Sequence, residues 1–166
     1  MSPLNQPEPI KSFTVEAANR MLPLLRMIVE DAVRQHREVA LLQERLKRLK
    51  RGRGLESKRT ATYYTDEVSE FESELDDQIS RYQEYVTELD RLGVRLADAD
   101  QGLVDFPTRM EGRPCWLSWK PDEEEVGYWR EYESQPDDRH SLLAGANFPG
   151  SPKSPPSSGK KPSALG

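Results

Sequence analysis

Two histidines, His36 and His140, and one cysteine, Cys115, are the side chains in this 166-residue chain best suited to nucleophilic, metal-binding or proton-shuttling chemistry. A serine or cysteine triad would have to use one of those imidazoles as its base, and neither Gly-x-Ser-x-Gly nor a phosphate-cradling glycine loop occurs. A carboxylate-bridged metal centre in a helical bundle needs Glu-x-x-His, but the residue three before His36 is Val33. His36 borders a helical seam and reads as a half-buried packing residue. His140 follows Asp137-Asp138-Arg139 near a polar tail. A lone cysteine excludes an internal disulfide and a multi-cysteine zinc site, and it suits a reducing compartment. With no histidine nearby in sequence, Cys115 reads as a small buried apolar side chain. No catalytic residue, cofactor or metal is therefore expected.

Two other groups of residues are candidates for binding. Asp105, Phe106, Trp119, Glu125, Trp129 and Arg130, with Trp116, Tyr82 and Tyr85 near them, offer aromatic surface and a few polar groups, the combination that small ligands favour. The same aromatics also suit a small domain core, with Asp105 capping a turn. The second group is a basic run of Arg45, Lys47, Arg48, Lys50, Arg51, Arg53, Lys58 and Arg59, opposed in that stretch only by Glu56. Such a cluster gains affinity for phosphates by releasing counterions, and Tyr63 with Tyr64 would stack on bases. Yet the net charge is -5, and the segment that follows is dense in carboxylates from Asp66 to Asp90, which repel phosphates. That asymmetry equally suits a basic tip docking on the acidic side of a second molecule.

Both groups are positioned by two matching heptad stripes. The first runs Ala18, Met21, Leu25, Ile28, Ala32, Gln35, Val39, Leu42, Leu46, Leu49. The second runs Val68, Phe71, Leu75, Gln78, Tyr82, Tyr85, Leu89, Leu92. Alternating steps of three and four keep one face toward a partner helix, so the chain reads as a long antiparallel, coiled-coil-like hairpin. Paired positions then sum to 110 or 117, and the middle of those options places Gln35 beside Gln78. A paired amide costs little and fixes register. The first helix is predicted over 14–51, with Thr14 as N-cap, Phe13 as staple residue and a bend at Pro23. A loop over 52–64 and a helix over 65–92 follow, with Thr65 as N-cap and Gly93 ending the last turn. From Leu22 to Val33 the first helix is too broadly apolar for a two-helix seam to cover. A second layer is needed there, and the segment from Val94 to Leu143 is the natural source.

That segment carries an expected β-hairpin from Val94–Leu96 and Leu103–Phe106, a third strand over Pro114–Trp119, and a short helix over Val126–Tyr132 after an acidic run. The fold class is α+β, mainly α: a helical hairpin with a small antiparallel β unit and short helix packed at its base. Residues 13–143 form a single domain between a flexible N-terminus, 1–12, and a tail, 144–166, whose proline, serine, glycine and lysine predict disorder. Hydrophobic residues make up 35% of the chain and aromatics 8%, and no apolar run approaches the length that spans a bilayer. With no secretory signal visible, a cytoplasmic location without membrane contact is expected.

The block Gly102-Leu103-Val104-Asp105-Phe106-Pro107, then Cys115-Trp116-Leu117-Ser118-Trp119 and Gly127-Tyr128-Trp129, resembles an uncharacterised bacterial family, the domain of unknown function twenty-two-zero-three. Phe13-Thr14-Val15-Glu16-Ala17-Ala18-Asn19 and Leu22-Pro23-Leu24-Leu25 are similar to its opening segment, so the resemblance covers nearly all of Phe13 to Leu143. It implies no activity. The family pattern implies a histidine after Trp129, where this chain has Arg130, so the resemblance supplies no metal ligand. The sequence thus points to a non-enzymatic interaction or scaffold module that acts through a basic-tipped hairpin on a protein partner or on another copy of itself. Small-molecule or metal binding at the aromatic and acidic junction, with or without catalysis, is the alternative. Nucleic-acid contact through the tip is the weaker one.

Overall fold

Thr14 opens the first helix as its hydroxyl allows, Oγ1 accepting a hydrogen bond from the amide of Ala17 at 3.1 Å. The computed structural model describes residues 12–52 and 61–143. The flexible N-terminus and disordered tail expected from the sequence, together with Arg53, Lys58 and Arg59, lie outside the described residues apart from Ser12. Helix α1 spans Val15–Arg51 and runs through Pro23 without interruption; helix α2 spans Ala61–Arg91. The strands are β1 (Arg95–Asp98), β2 (Leu103–Met110), β3 (Arg113–Trp119), β4 (Tyr128–Glu131) and β5 (His140–Ser141).

Contacts between the helices fall in number on one as they rise on the other. Gln35 meets Gln78, His36 lies against Tyr82, Arg45 stacks over Phe71, and Lys50 reaches Glu72 at 3.0 Å. The pair is therefore antiparallel. Gln35 Nε2 donates to Gln78 Oε1 and, at 3.3 Å, to the Gln78 carbonyl, so the two glutamines bond across the seam.

Helix α2 starts earlier than the loop expected over 52–64 allows. Ala61 and Tyr64 continue the three-and-four spacing backward from Val68 and Phe71, so the heptad phase, not Thr65, marks where the helix begins. At the other end Gly93, at φ 84°, takes the left-handed turn expected of it.

The strands form one antiparallel meander in the order β1-β2-β3-β4-β5. The short helix expected over Val126–Tyr132 is instead strand β4, paired with β3 through Leu117↔Trp129 and Trp116↔Arg130. Its aromatic residues favour a pleated surface, and alternation sends Trp129 toward the helices and Arg130 to the other side. The acidic residues before it serve a turn, where Glu123 Oε1 accepts from the amide of Lys120 at 2.9 Å.

One face of the sheet, carrying Val104, Phe106, Met110, Cys115, Leu117 and Trp119, packs on Phe13, Leu22, Leu25, Ile28, Val29 and Leu89. Three contacts fasten it to α1. Gly102, at φ 73°, sits where a Cβ would come within 2.9 Å of Val29. Arg26 donates to the carbonyls of Pro121 and Glu123. Asn19 Oδ1 accepts from the amide of Val126 at 2.8 Å.

Replacing Gln35 with Ala leaves the Gln78 amide without its partner and should lower unfolding free energy in urea by about 1–3 kcal/mol. The double change Gln35→Leu, Gln78→Leu should recover most of it. Wild-type stability for Gln35→Ala would show that the pair contributes nothing to the seam.

Candidate functional site

Asp105 is fully buried (0% exposed) on the sheet face turned away from the helices, and Arg130 beside it is 1% exposed. Arg130 forks onto the carboxylate, Nε donating to Oδ1 at 3.1 Å and Nη2 to Oδ2, while Nη1 donates to the Ser134 carbonyl at 2.8 Å. Arg95 adds a donor to Oδ2 at 3.0 Å and stacks over Trp116, which in turn stacks on Tyr132. Directly opposite Asp105 on the same face is Ser118, which Arg139 engages. Arg139 donates to the Ser118 hydroxyl and carbonyl, pairs with both oxygens of Glu123, and covers the Tyr128 ring. Each charged group is already engaged inside the chain. A buried ion pair with this geometry holds the strand order together and offers no free donor to a substrate.

The six residues expected at an aromatic and acidic junction are divided by this arrangement. Asp105 and Arg130 come together on the outer face. Phe106, Trp119 and Trp129 belong to the helix-facing side, with Trp119 Nε1 donating to the Glu123 carbonyl at 2.9 Å, and Glu125 is exposed. Trp129 Nε1 is buried and has no hydrogen-bond partner among the described residues. Sequence reasoning missed Arg95, Glu123 and Arg139. The available signal was cross-strand pairing: directly paired residues share a face, so Arg95, Asp105, Ser118 and Tyr128 form a row.

Cys115 is buried, and its thiol is pushed up to about 11, first by burial and then by the nearby Glu131, against a smaller opposing effect of Arg113. Burial and that shift keep it protonated at neutral pH. His36 Nε2 lies 3.0 Å from Asp100 Oδ1, and the neighbouring Tyr82 hydroxyl is raised by burial and, secondarily, by Asp100. Among the described residues no group of three His, Cys, Asp or Glu is placed to hold a metal ion. No described helix is long and apolar enough to cross a membrane.

Two surface features remain. A cleft of about 560 Å3 opens between α1, the β1–β2 turn and the β3–β4 loop, lined by Glu30, Arg37, Asp100, Lys120 and Asp122 among others. The larger feature is the side of the hairpin away from the sheet. The sheet and its loops meet α1 along Asn19, Leu22, Arg26, Val29, Val33 and His36. About 90–170° round the helix from that line, Leu24, Met27 and Leu41 are 47%, 67% and 59% exposed. The second layer demanded by the wide apolar half thus covers only one flank. At the tip Lys47 pairs with Glu44, Lys50 with Glu72, and Arg45 stacks on Phe71, so the basic run is partly neutralised by its own hairpin.

A family model for an uncharacterized conserved protein, DUF2203, matches residues 11–142, about four-fifths of the chain and all five strands. The chain belongs to the DUF2203 family. No curated protein and no solved structure matches it. The matched span of the DUF2203 chain takes in both helices, the Asp105–Arg130 pair and the sheet-free flank alike.

Asp105→Ala leaves two arginines without their carboxylate, one of them buried, and should cost about 3–5 kcal/mol in urea unfolding. A variant with unchanged stability would show that the pair is not structural.

Proposed function

We propose that the protein is a non-enzymatic interaction module that docks another protein chain on the sheet-free flank of its helical hairpin. The observation that carries this reading is the one-sided placement of the sheet, which leaves Leu24, Met27 and Leu41 in water on a rigid helix. Single exposed apolar residues need no explanation, but among the described residues the exposed large hydrophobics on the helices fall on one flank. The distal seam adds to it. Val68, Phe71 and Leu75 are only half-buried by α1, and a further helix along that flank would remove more of their surface from water. A groove of about 280 Å3 lined by Arg45, Arg48, Leu49, Glu67 and Phe71 marks the same flank near the tip.

The saturated Asp105–Arg130 and Glu123–Arg139 pairs support a scaffold role for the sheet, since they tie its strands and the β3–β4 loop to one another. A second reading, small-molecule binding, draws on the cleft beside Arg37 and Lys120. A retained species in a native mass spectrum would favour it, and the mass of the bare chain would count against it.

Full-length protein immobilised on a support and its Met27→Glu, Leu41→Glu variant should differ in the chain they capture, while their far-UV circular dichroism stays the same. Each glutamate removes an apolar contact of about 1.5–3 kcal/mol, so binding should weaken by tenfold or more. Equal binding by both forms would sink the docking reading.

A further inference from the structure

We infer that the chain docked on this flank is a second copy of the same protein, packed so that α1 of each copy lies against α2 of the other. The inference rests on the docking reading above and names its occupant. On the sheet-free flank, the distal half of α1 presents Leu41, Arg45 and Arg48, with Glu38 as its only acid there. The matching flank of α2 presents Glu67, Glu70, Glu74 and Asp77, all exposed. Among the described residues none of these four carboxylates, nor Arg45 or Arg48, takes part in an ion pair. One flank therefore carries a cationic and apolar half beside an anionic half. Such a surface is complementary to itself when a two-fold operation exchanges the halves.

Symmetry decides the geometry. A two-fold axis running along the hairpin swaps left for right, so α1 faces the α2 of the second copy and basic residues meet acidic ones. An axis across the hairpin would set α1 on α1 and α2 on α2, so that overlapping arms would bring the basic half onto a basic half and the acidic half onto an acidic half, which like-charge repulsion disfavours. The first arrangement also keeps both tips at one end. Because Arg45 lies over Phe71, the end of α1 and the beginning of α2 are level with each other. The arginines at 45 and 48 of one copy thus reach the glutamates at 67 and 70 of the other, and symmetry repeats the contact. Leu24, Met27 and Leu41 leave water in the same step, and the sheets lie on the outer sides, where they do not collide. The product is a four-helix arrangement built from two hairpins.

The test is light scattering on the full chain and on two charge reversals, Arg45→Glu with Arg48→Glu, and Glu67→Arg with Glu70→Arg. The wild type should have the mass of a dimer that weakens as salt rises, because exposed pairs are screened. Either reversal makes the facing groups near the tip, at 45 and 48 and at 67 and 70, alike in sign and should weaken the homodimer by about tenfold or more. Mixed in equal amounts, the two variants should restore a dimer, since each then finds the opposite charge on both helices. That rescue also shows that both variants are folded. A dimer indifferent to both reversals places the interface elsewhere and overturns both the inference and the docking reading. A wild type that stays monomeric yet binds another chain through Met27 and Leu41 overturns the second copy alone. A monomer that binds nothing overturns both.

Discussion

Gly102 lies so close to α1 that a side chain there would press on Val29 at 2.9 Å and Val33 at 3.0 Å. Glycine also supplies the positive φ that the β1–β2 turn requires. This contact decides which flank of the helix the sheet occupies. Once the turn is seated against Val29 and Val33, β2 and β3 lay Phe106, Leu117 and Trp119 over the base of the hairpin. Arg26 and Asn19 then fasten the loops beyond them. The flank opposite Val29 is left to solvent, with its leucines and methionine in place. The proposed docking surface is in this sense a consequence of how the domain closes its own core.

The distal arm follows from the same closure. The sheet sits at the base, so beyond His36 the two helices have only each other. Leu42 and Leu46 are buried there, while Val39, Leu49, Val68, Phe71 and Leu75 are half-buried. A two-helix seam shields one stripe of each helix, and the polar pair Gln35–Gln78 holds its register at the junction of base and arm. The outer-face ion pairs add rigidity to the base. Arg130 and Arg139 tie β4 and the segment after it to β2 and β3, so the short strand is held by side chains as well as by its ladder. Rigid positioning would lower the ordering cost of the proposed docking, because little of the surface would have to be organised on contact.

Much of this was legible in the residues. The heptad spacing predicted the pairing of Gln35 with Gln78, and Thr14 and Gly93 terminate their helices by the chemistry expected of them. The earlier start of α2 was visible in the spacing of Ala61 and Tyr64 but lay beneath the basic composition around it. Strand β4 escaped because an acidic run followed by Val126 imitates a helix start, and its two-residue alternation has meaning only when Trp116 and Leu117 are known to lie opposite it. The same physics divides the expected junction. Asp105 with Phe106, and Trp129 with Arg130, are neighbours in sequence, so in a strand they point to opposite faces and cannot line one pocket. The exposure of Leu24 and Met27 was hidden for a different reason: sequence shows that an apolar flank needs covering but not whether the same chain covers it.

A spin label at position 43 tests that covering most directly. Gln43 is exposed on α1, beyond the sheet and away from the proposed contact, and the native Cys115 is buried and resists labelling. A single label per chain gives a dipolar distance only between copies. With both tips at one end and helices about 10 Å apart, Gln43→Cys labelled protein should show an intermolecular distance of roughly 20–40 Å that disappears on dilution with unlabelled chain. No intermolecular coupling at concentrations where light scattering finds a dimer would contradict the arrangement of α1 against α2.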